Sequence, residues 1–139
     1  MDYRKEYEKW LASPALSEDE RAELKALEGN DKEIKARFYG PLEFGTAGLR
    51  GTMYTGLHNM NRHVIRWATQ GFANVIRAEG TEAMQKGIAV CMDCRNHSAE
   101  FARETACVMA ANGIHVRLFE SLRPTPELSF AVREYGCQA

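Results

Sequence analysis

Apolar positions recur with helical spacing along the first forty residues. Tyr3, Tyr7, Trp10 and Leu11 fall on one helical face. Ser13-Pro14 interrupts, because a proline disfavours helical backbone in the residue before it. Ser17 with Glu20 has the form of a capping box, in which each side chain satisfies the other's free amide, and Leu24 and Leu27 follow on one face. Gly29 is the expected stop. Asn30 and Glu33 repeat the start signal ahead of Ile34 and Phe38. Residues 1–40 therefore read as an N-terminal helical extension packed on the domain that follows, with no evident chemistry.

The pattern changes at Gly40-Pro41. Residues 44–53 hold three glycines and little helical periodicity, and read as a loop passing into a strand. Asn61 is placed to cap a helix to about Glu79, with Val64, Ile65, Ala68, Phe72, Val75 and Ile76 on its apolar face. Gly80 ends it. Residues 88–92 read as a strand, 93–97 as a turn, and Ser98 as the cap of a helix carrying Phe101, Thr105, Val108 and Met109. After Asn112-Gly113, residues 114–119 alternate as a strand does. Thr125 can cap a last helix with Pro126 at its first position, Leu128, Ala131, Val132 and Tyr135 on its inner face, and Gly136 as its stop. Strands alternating with helices imply an α/β fold with a largely parallel sheet and crossover helices over residues 41–139. By the same alternation a further strand is due at Cys137–Ala139, so the chain is expected to be a piece of a longer protein.

Composition adds exclusions. The 139 residues are 45% hydrophobic and 27% charged, proportions that disfavour disorder. Apolar runs fall short of the ~20 residues a membrane span needs. The opening Met1-Asp2-Tyr3-Arg4-Lys5-Glu6 lacks the form of a signal peptide. A soluble, cytoplasmic protein with no membrane partner is expected. The net charge of −1 argues against a dedicated nucleic-acid binder. Residues 41–80 form the mildly basic stretch, with Arg50, Arg62, Arg66 and Arg77 against Glu43 and Glu79. The last three of these arginines read as a solvated helix face, since no aromatics interleave for base stacking.

Three places could carry chemistry. Gly45, Gly48 and Gly51 permit close backbone approach and positive φ. Successive amides of such a turn can form an anion nest. Thr46 adds a hydroxyl and Arg50 a planar fork of donors suited to phosphate. The spacing matches neither the dinucleotide fingerprint nor the P-loop, so a phosphate-contacting loop and a plain glycine-rich turn both stand. Asp93 and Arg95 follow a strand at the sheet edge where α/β folds bind ligands; a local ion pair bracing the turn is the equal alternative. Cys91 and Cys94 form a CxxC that could be a redox pair or half a zinc site, against buried thiols in a reducing compartment. Of the four histidines, His97 alone stands near a candidate site, and His115 reads as strand packing.

Four motifs in order carry a family resemblance. Phe44-Gly45-Thr46-Ala47-Gly48-Leu49-Arg50-Gly51 resembles the N-terminal signature of the α-D-phosphohexomutases, the phosphoglucomutase and phosphomannomutase superfamily. Met60-Asn61-Arg62 followed by Thr69-Gln70-Gly71-Phe72 resembles the first helix of its phosphoglucomutase-2/phosphopentomutase-like branch. Residues 90–98 resemble the V-x-x-D-x-R-x-x-S turn, and Arg123-Pro124-Thr125-Pro126-Glu127-Leu128 the R-P-T-P-E-L loop.

The resemblance covers residues 1–139. It implies a three-layer α/β domain with a mixed, largely parallel sheet, the incomplete first of four domains, preceded by the helical extension of residues 1–40. It also implies an isomerase, an intramolecular phosphotransferase of carbohydrate metabolism. Such enzymes interconvert hexose or pentose 1-phosphate and 6- or 5-phosphate through a phosphoserine, a sugar bisphosphate intermediate and Mg²⁺. Arg50 matches the arginine that reaches the phosphoserine and the bisphosphate, Thr46 a position beside it, and Asp93 and Arg95 the nearby strand-end turn. Ala47 stands where many relatives have serine. The T-A-S-H-N-P phosphoserine loop and the D-G-D-x-D metal loop do not occur in the sequence. No catalytic or metal-binding residue is therefore expected here, the chain alone is expected to be inactive, and sugar preference would reside in domains outside it. The alternative is a non-catalytic phosphate-binding or interaction module that self-associates through a sheet edge.

Overall fold

Four helices begin where a side chain takes up their first free amides. The computed structural model describes residues 1–46 and 48–139; Ala47, and with it the expectation attached to that position, lies outside the described residues. Asp2 accepts from the amides of Arg4 and Lys5 and opens α1 (Tyr3–Leu11). Ser17 and Glu20 form the reciprocal capping box that opens α2 (Glu18–Lys25). Asn30 accepts from Glu33 N–H at the start of α3 (Asp31–Phe38). Asn61 Oδ1 accepts from His63 and Val64 N–H at 3.1 and 3.0 Å at the start of α4 (Arg62–Glu79). Polar side chains at these positions each satisfy donors that a helix otherwise leaves orphaned.

The chain divides into two compact units, Met1–Val64 and Ile65–Ala139, and the division falls within α4. In the first unit Leu16, Leu24, Leu27, Ile34 and Phe38 form the core, with Tyr3, Tyr7, Trp10, Leu11 and Leu57 packed against it. Phe38 is fully buried, and the rings of Tyr7 and Trp10 meet it edge-on with centroids 5.7 Å away. The segment after α3 belongs to this unit too. Leu57 packs on the helical core, Leu42 N–H donates to Leu57 O at 3.2 Å, and His58 N–H donates to Arg37 O at 2.9 Å. Arg37 is buried, its guanidinium held by Glu23, Glu33 and Thr55 O and lying 4.4 Å over the Tyr54 ring.

Residues 44–49 do not pass from loop to strand as expected. Instead β1 (Phe44–Gly45) and β2 (Gly48–Leu49) pair as a short antiparallel hairpin, Phe44 with Leu49 and Gly45 with Gly48.

The second unit is built on β3 (Ile88–Val90) and β4 (Val116–Leu118), a parallel pair joined by α6 (Ser98–Ala111). Helix α5 (Thr81–Lys86) follows Gly80, and the periodicity of the sequence did not signal it. Helix α7 is Thr125–Glu134, with Pro124 as cap and Pro126 one position further in than expected. The core is Ala73, Ile76, Ala83, Ile88, Met109 and Ile114. Helix α4 turns inward a face that only partly matches the expected one, on which Val64 and Ile76 are buried as expected. Ala73 and Ile76 are buried, whereas Phe72 and Val75 are 42% and 56% exposed. The buried row takes a small residue where α4 meets the core closely, a feature that summed hydrophobicity does not report.

Backbone pairing is present where a further strand was due. Gln138 N–H donates to Gly87 O at 2.8 Å and Ala89 N–H to Ala139 O at 2.9 Å. Ile88 N–H and Val90 O bond toward the β4 side, so these contacts lie on the opposite edge of β3 by the alternation of a strand. The architecture is α/β, seven helices with one antiparallel and one parallel pair of strands among the described residues. None of the described helices is long and apolar enough to cross a membrane.

Candidate functional site

The glycine-rich hairpin presents Thr46 and Arg50 in the first unit. Thr46 sits in the exposed turn between β1 and β2, and Arg50 directly follows β2, also exposed. Among the described residues Arg50 has no hydrogen-bond or ion-pair partner, so its five donors remain available. Two of the three glycines have distinct structural reasons. Gly48 has φ +96, which β-carbon-bearing residues rarely adopt. A Cβ on Gly51 would lie 3.1 Å from Leu42 Cδ1, so that position needs close approach. Gly45 is explained by neither.

Both stems of the hairpin are tied to residues 57–60. On the entering side, Leu42 bonds Leu57, and the His58 ring Nδ1 lies 3.3 and 3.2 Å from the carbonyls of Gly40 and Pro41. The other ring nitrogen of His58 meets the Tyr39 hydroxyl, with the two rings 4.1 Å apart. On the leaving side, Met60 N–H donates to Thr52 O at 2.9 Å, and Thr52 Oγ1–H donates to Asn59 Oδ1 at 2.8 Å. Motif reading did not single out His58 or Asn59. Their only signal is polar residues in a short non-helical stretch ahead of a helix cap.

Asp93 and Arg95 lie in the second unit, just past the C-terminal end of β3. The Asp93 carboxylate accepts from Arg95 Nε at 2.8 Å and from Arg95 N–H at 3.0 Å, and lies 2.6 Å from a terminal guanidinium nitrogen. The Arg95 side-chain and backbone donors hold the Asp93 carboxyl down at about 2, against an ordinary carboxylate value near ~4. Asp93 N–H donates to Ser98 Oγ at 3.0 Å. Ser98 is thus the first residue of α6 rather than its cap. The cap position falls to His97, whose φ of +62 is left-handed and whose ring meets Glu100. The ion pair bracing the turn is present, and Arg95 stays largely exposed around it.

The remaining candidates resolve locally. All four cysteines are free, and burial followed by the Asp93 charge pushes the Cys91 thiol up, away from the depressed value of reactive thiols. His115 is exposed and its ring meets Arg117 at 2.9 Å, so it does not pack the core. Among the described residues no group of three or more His, Cys, Asp or Glu is arranged to hold a metal ion.

A family model described as phosphoglucomutase/phosphomannomutase, alpha/beta/alpha domain I, matches residues 41–139. The chain is 40% identical over 111 residues to a phosphopentomutase of Pongo abelii, covering 76% of this chain and 18% of that protein. It is 37% identical over 109 residues to a phosphoglucomutase of Staphylococcus saprophyticus, 78% of this chain and 19% of the relative. A phosphomannomutase of Mycoplasma pneumoniae is 30% identical over 132 residues, 94% of this chain and 24% of the relative. No solved structure matches. The chain spans about a fifth of the length of these curated relatives. With a family model covering well over half of its residues, the chain belongs to the phosphoglucomutase/phosphomannomutase family and matches it through the alpha/beta/alpha domain I.

Proposed function

We propose that this chain is part of a cytoplasmic sugar-phosphate mutase, an intramolecular phosphotransferase acting on hexose or pentose phosphates through a phosphoserine and a sugar bisphosphate. The observation that carries the reading is Arg50: an exposed guanidinium with no partner among the described residues, on a hairpin tied at both stems. A cation on an anchored backbone, with free donors in fork geometry, suits the oxygens of a phosphoryl group, whose transfer depends on positioning and charge stabilisation. Thr46 can donate a hydroxyl hydrogen bond in the same turn. In the second unit Asp93 and Arg95 hold the strand-end turn in one conformation, with the outer part of the Arg95 fork facing solvent.

The chain's own residues account for binding and orientation only. The phosphoserine loop is not in the sequence, and the described residues do not suit Mg²⁺, so no step is routed through a metal here. The reading therefore holds the chain inactive alone. The test compares a full-length protein carrying this sequence with the 139-residue chain, each given glucose 1-phosphate and a trace of the 1,6-bisphosphate. Turnover is expected from the former alone. Turnover by the chain alone would refute the claim that the reacting serine lies outside it.

A second reading, a self-associating interaction module, has one observation in its favour. Among the described residues strand β4 has β3 as its single neighbour, and beside it lies an open concavity of about 520 Å³ lined in part by Val116, Leu118, Ala131 and Tyr135. An uncovered strand edge recruits other strands.

A further inference from the structure

Among the described residues Arg50 has no hydrogen-bond or ion-pair partner, so its placement depends on the backbone on either side of it. On the N-terminal side the β1–β2 pairing supplies that constraint. On the C-terminal side the constraint is Thr52. Its carbonyl accepts from Met60 N–H, and its hydroxyl donates to Asn59 Oδ1 at 2.8 Å, the one described side-chain hydrogen bond made by residues 48–52. Asn59 is 4% exposed, and its Nδ2 is buried with no hydrogen-bond partner. The Thr52 hydroxyl is thus the sole partner of the Asn59 side chain among the described residues. A buried amide left half satisfied is unusual, and such a group calls for a reason beyond packing. Position 56 is shaped around it: a Cβ on Gly56 would stand 3.0 Å from Asn59 Nδ2 and 2.9 Å from Arg37 Cβ.

We propose that Thr52 and Asn59 are positioning residues for Arg50, clamping the leaving stem of the hairpin so that the guanidinium meets a phosphoryl group at a fixed point. The proposal rests on the reading of Arg50 as the phosphate contact. Thr52→Val removes the hydroxyl and keeps the shape, whereas Thr52→Ser keeps the hydroxyl. The experiment titrates the 139-residue chain with inorganic phosphate and follows the Arg50 Nε–H and loop amide signals by NMR, with amide dispersion reporting the fold. Thr52→Val is expected to raise the phosphate Kd about fivefold, within the range of coupling shown by residues linked through a shared backbone shift. Thr52→Ser should stay within about twofold of the parent. In an Arg50→Ala background, where no guanidinium remains to be positioned, Thr52→Val should change Kd no further. Thr52→Ala replaces Thr52→Val if that variant does not fold.

A Thr52→Val effect of equal size in both backgrounds, or none in either, would overturn the positioning role and leave the Arg50 reading standing. Unchanged phosphate binding in Arg50→Ala would instead remove the reading on which the proposal rests.

Discussion

Asp93 gives the most direct residue-scale handle on the strand-end turn. Its carboxyl is held at about 2 by Arg95, so the contribution of the pair to stability is present above the ordinary carboxylate range and is lost as pH falls through about 2. NMR titration of Asp93 should show a midpoint near 2, and Arg95→Gln should return it toward ~4. A midpoint near 4 in the parent chain would show that the brace does not form in solution. Gly87 is the second residue-scale case. Its φ is +66, and an added Cβ would stand 2.0 Å from His115 O, where β3 meets β4. Gly87→Ala should cost roughly 3 kcal/mol or more in urea unfolding, because strain and a backbone clash combine. Neither feature is a property of one residue type. Asp-x-Arg spacing allowed both a brace and a ligand site, and the closeness of His115 arises only once the strands pair.

At the scale of elements, legibility follows how local the cause is. The starts of α2, α3 and α4 could be read because Ser17, Asn30 and Asn61 act on amides two or three residues away. Ser17→Ala should therefore cost about 1 kcal/mol by thermal or urea unfolding; no loss would show that the capping box is unimportant in solution. The pairing of β1 with β2, the six-residue α5 and the exposure of Phe72 and Val75 on α4 were not legible, because tertiary contacts decide them. Two-residue strands carry no periodicity, and α4 has apolar residues on more than one side. The uncovered edge of β4 makes a prediction at this scale as well. Light scattering of concentrated chain should show association that Leu118→Lys reduces, as an edge charge does. A strict monomer at every concentration would remove the interaction reading.

For the whole molecule, the family could be read from four short motifs in order, and the match over residues 41–139 agrees with it. The anchoring of the Arg50 hairpin was beyond such reading, since Thr52 and Asn59 become partners only through the turn at residues 54–60. The central claim is that Arg50 serves phosphoryl transfer in a sugar-phosphate mutase. Its most direct test is kcat/KM for glucose 1-phosphate, with a trace of the 1,6-bisphosphate, in the full-length protein carrying this sequence and in its Arg50→Ala variant. The account predicts turnover by the parent and a loss of about 10²–10³-fold in the variant, the range for removing one preorganised charge-stabilising donor group. No turnover by the parent, or equal rates in the two proteins, would contradict it.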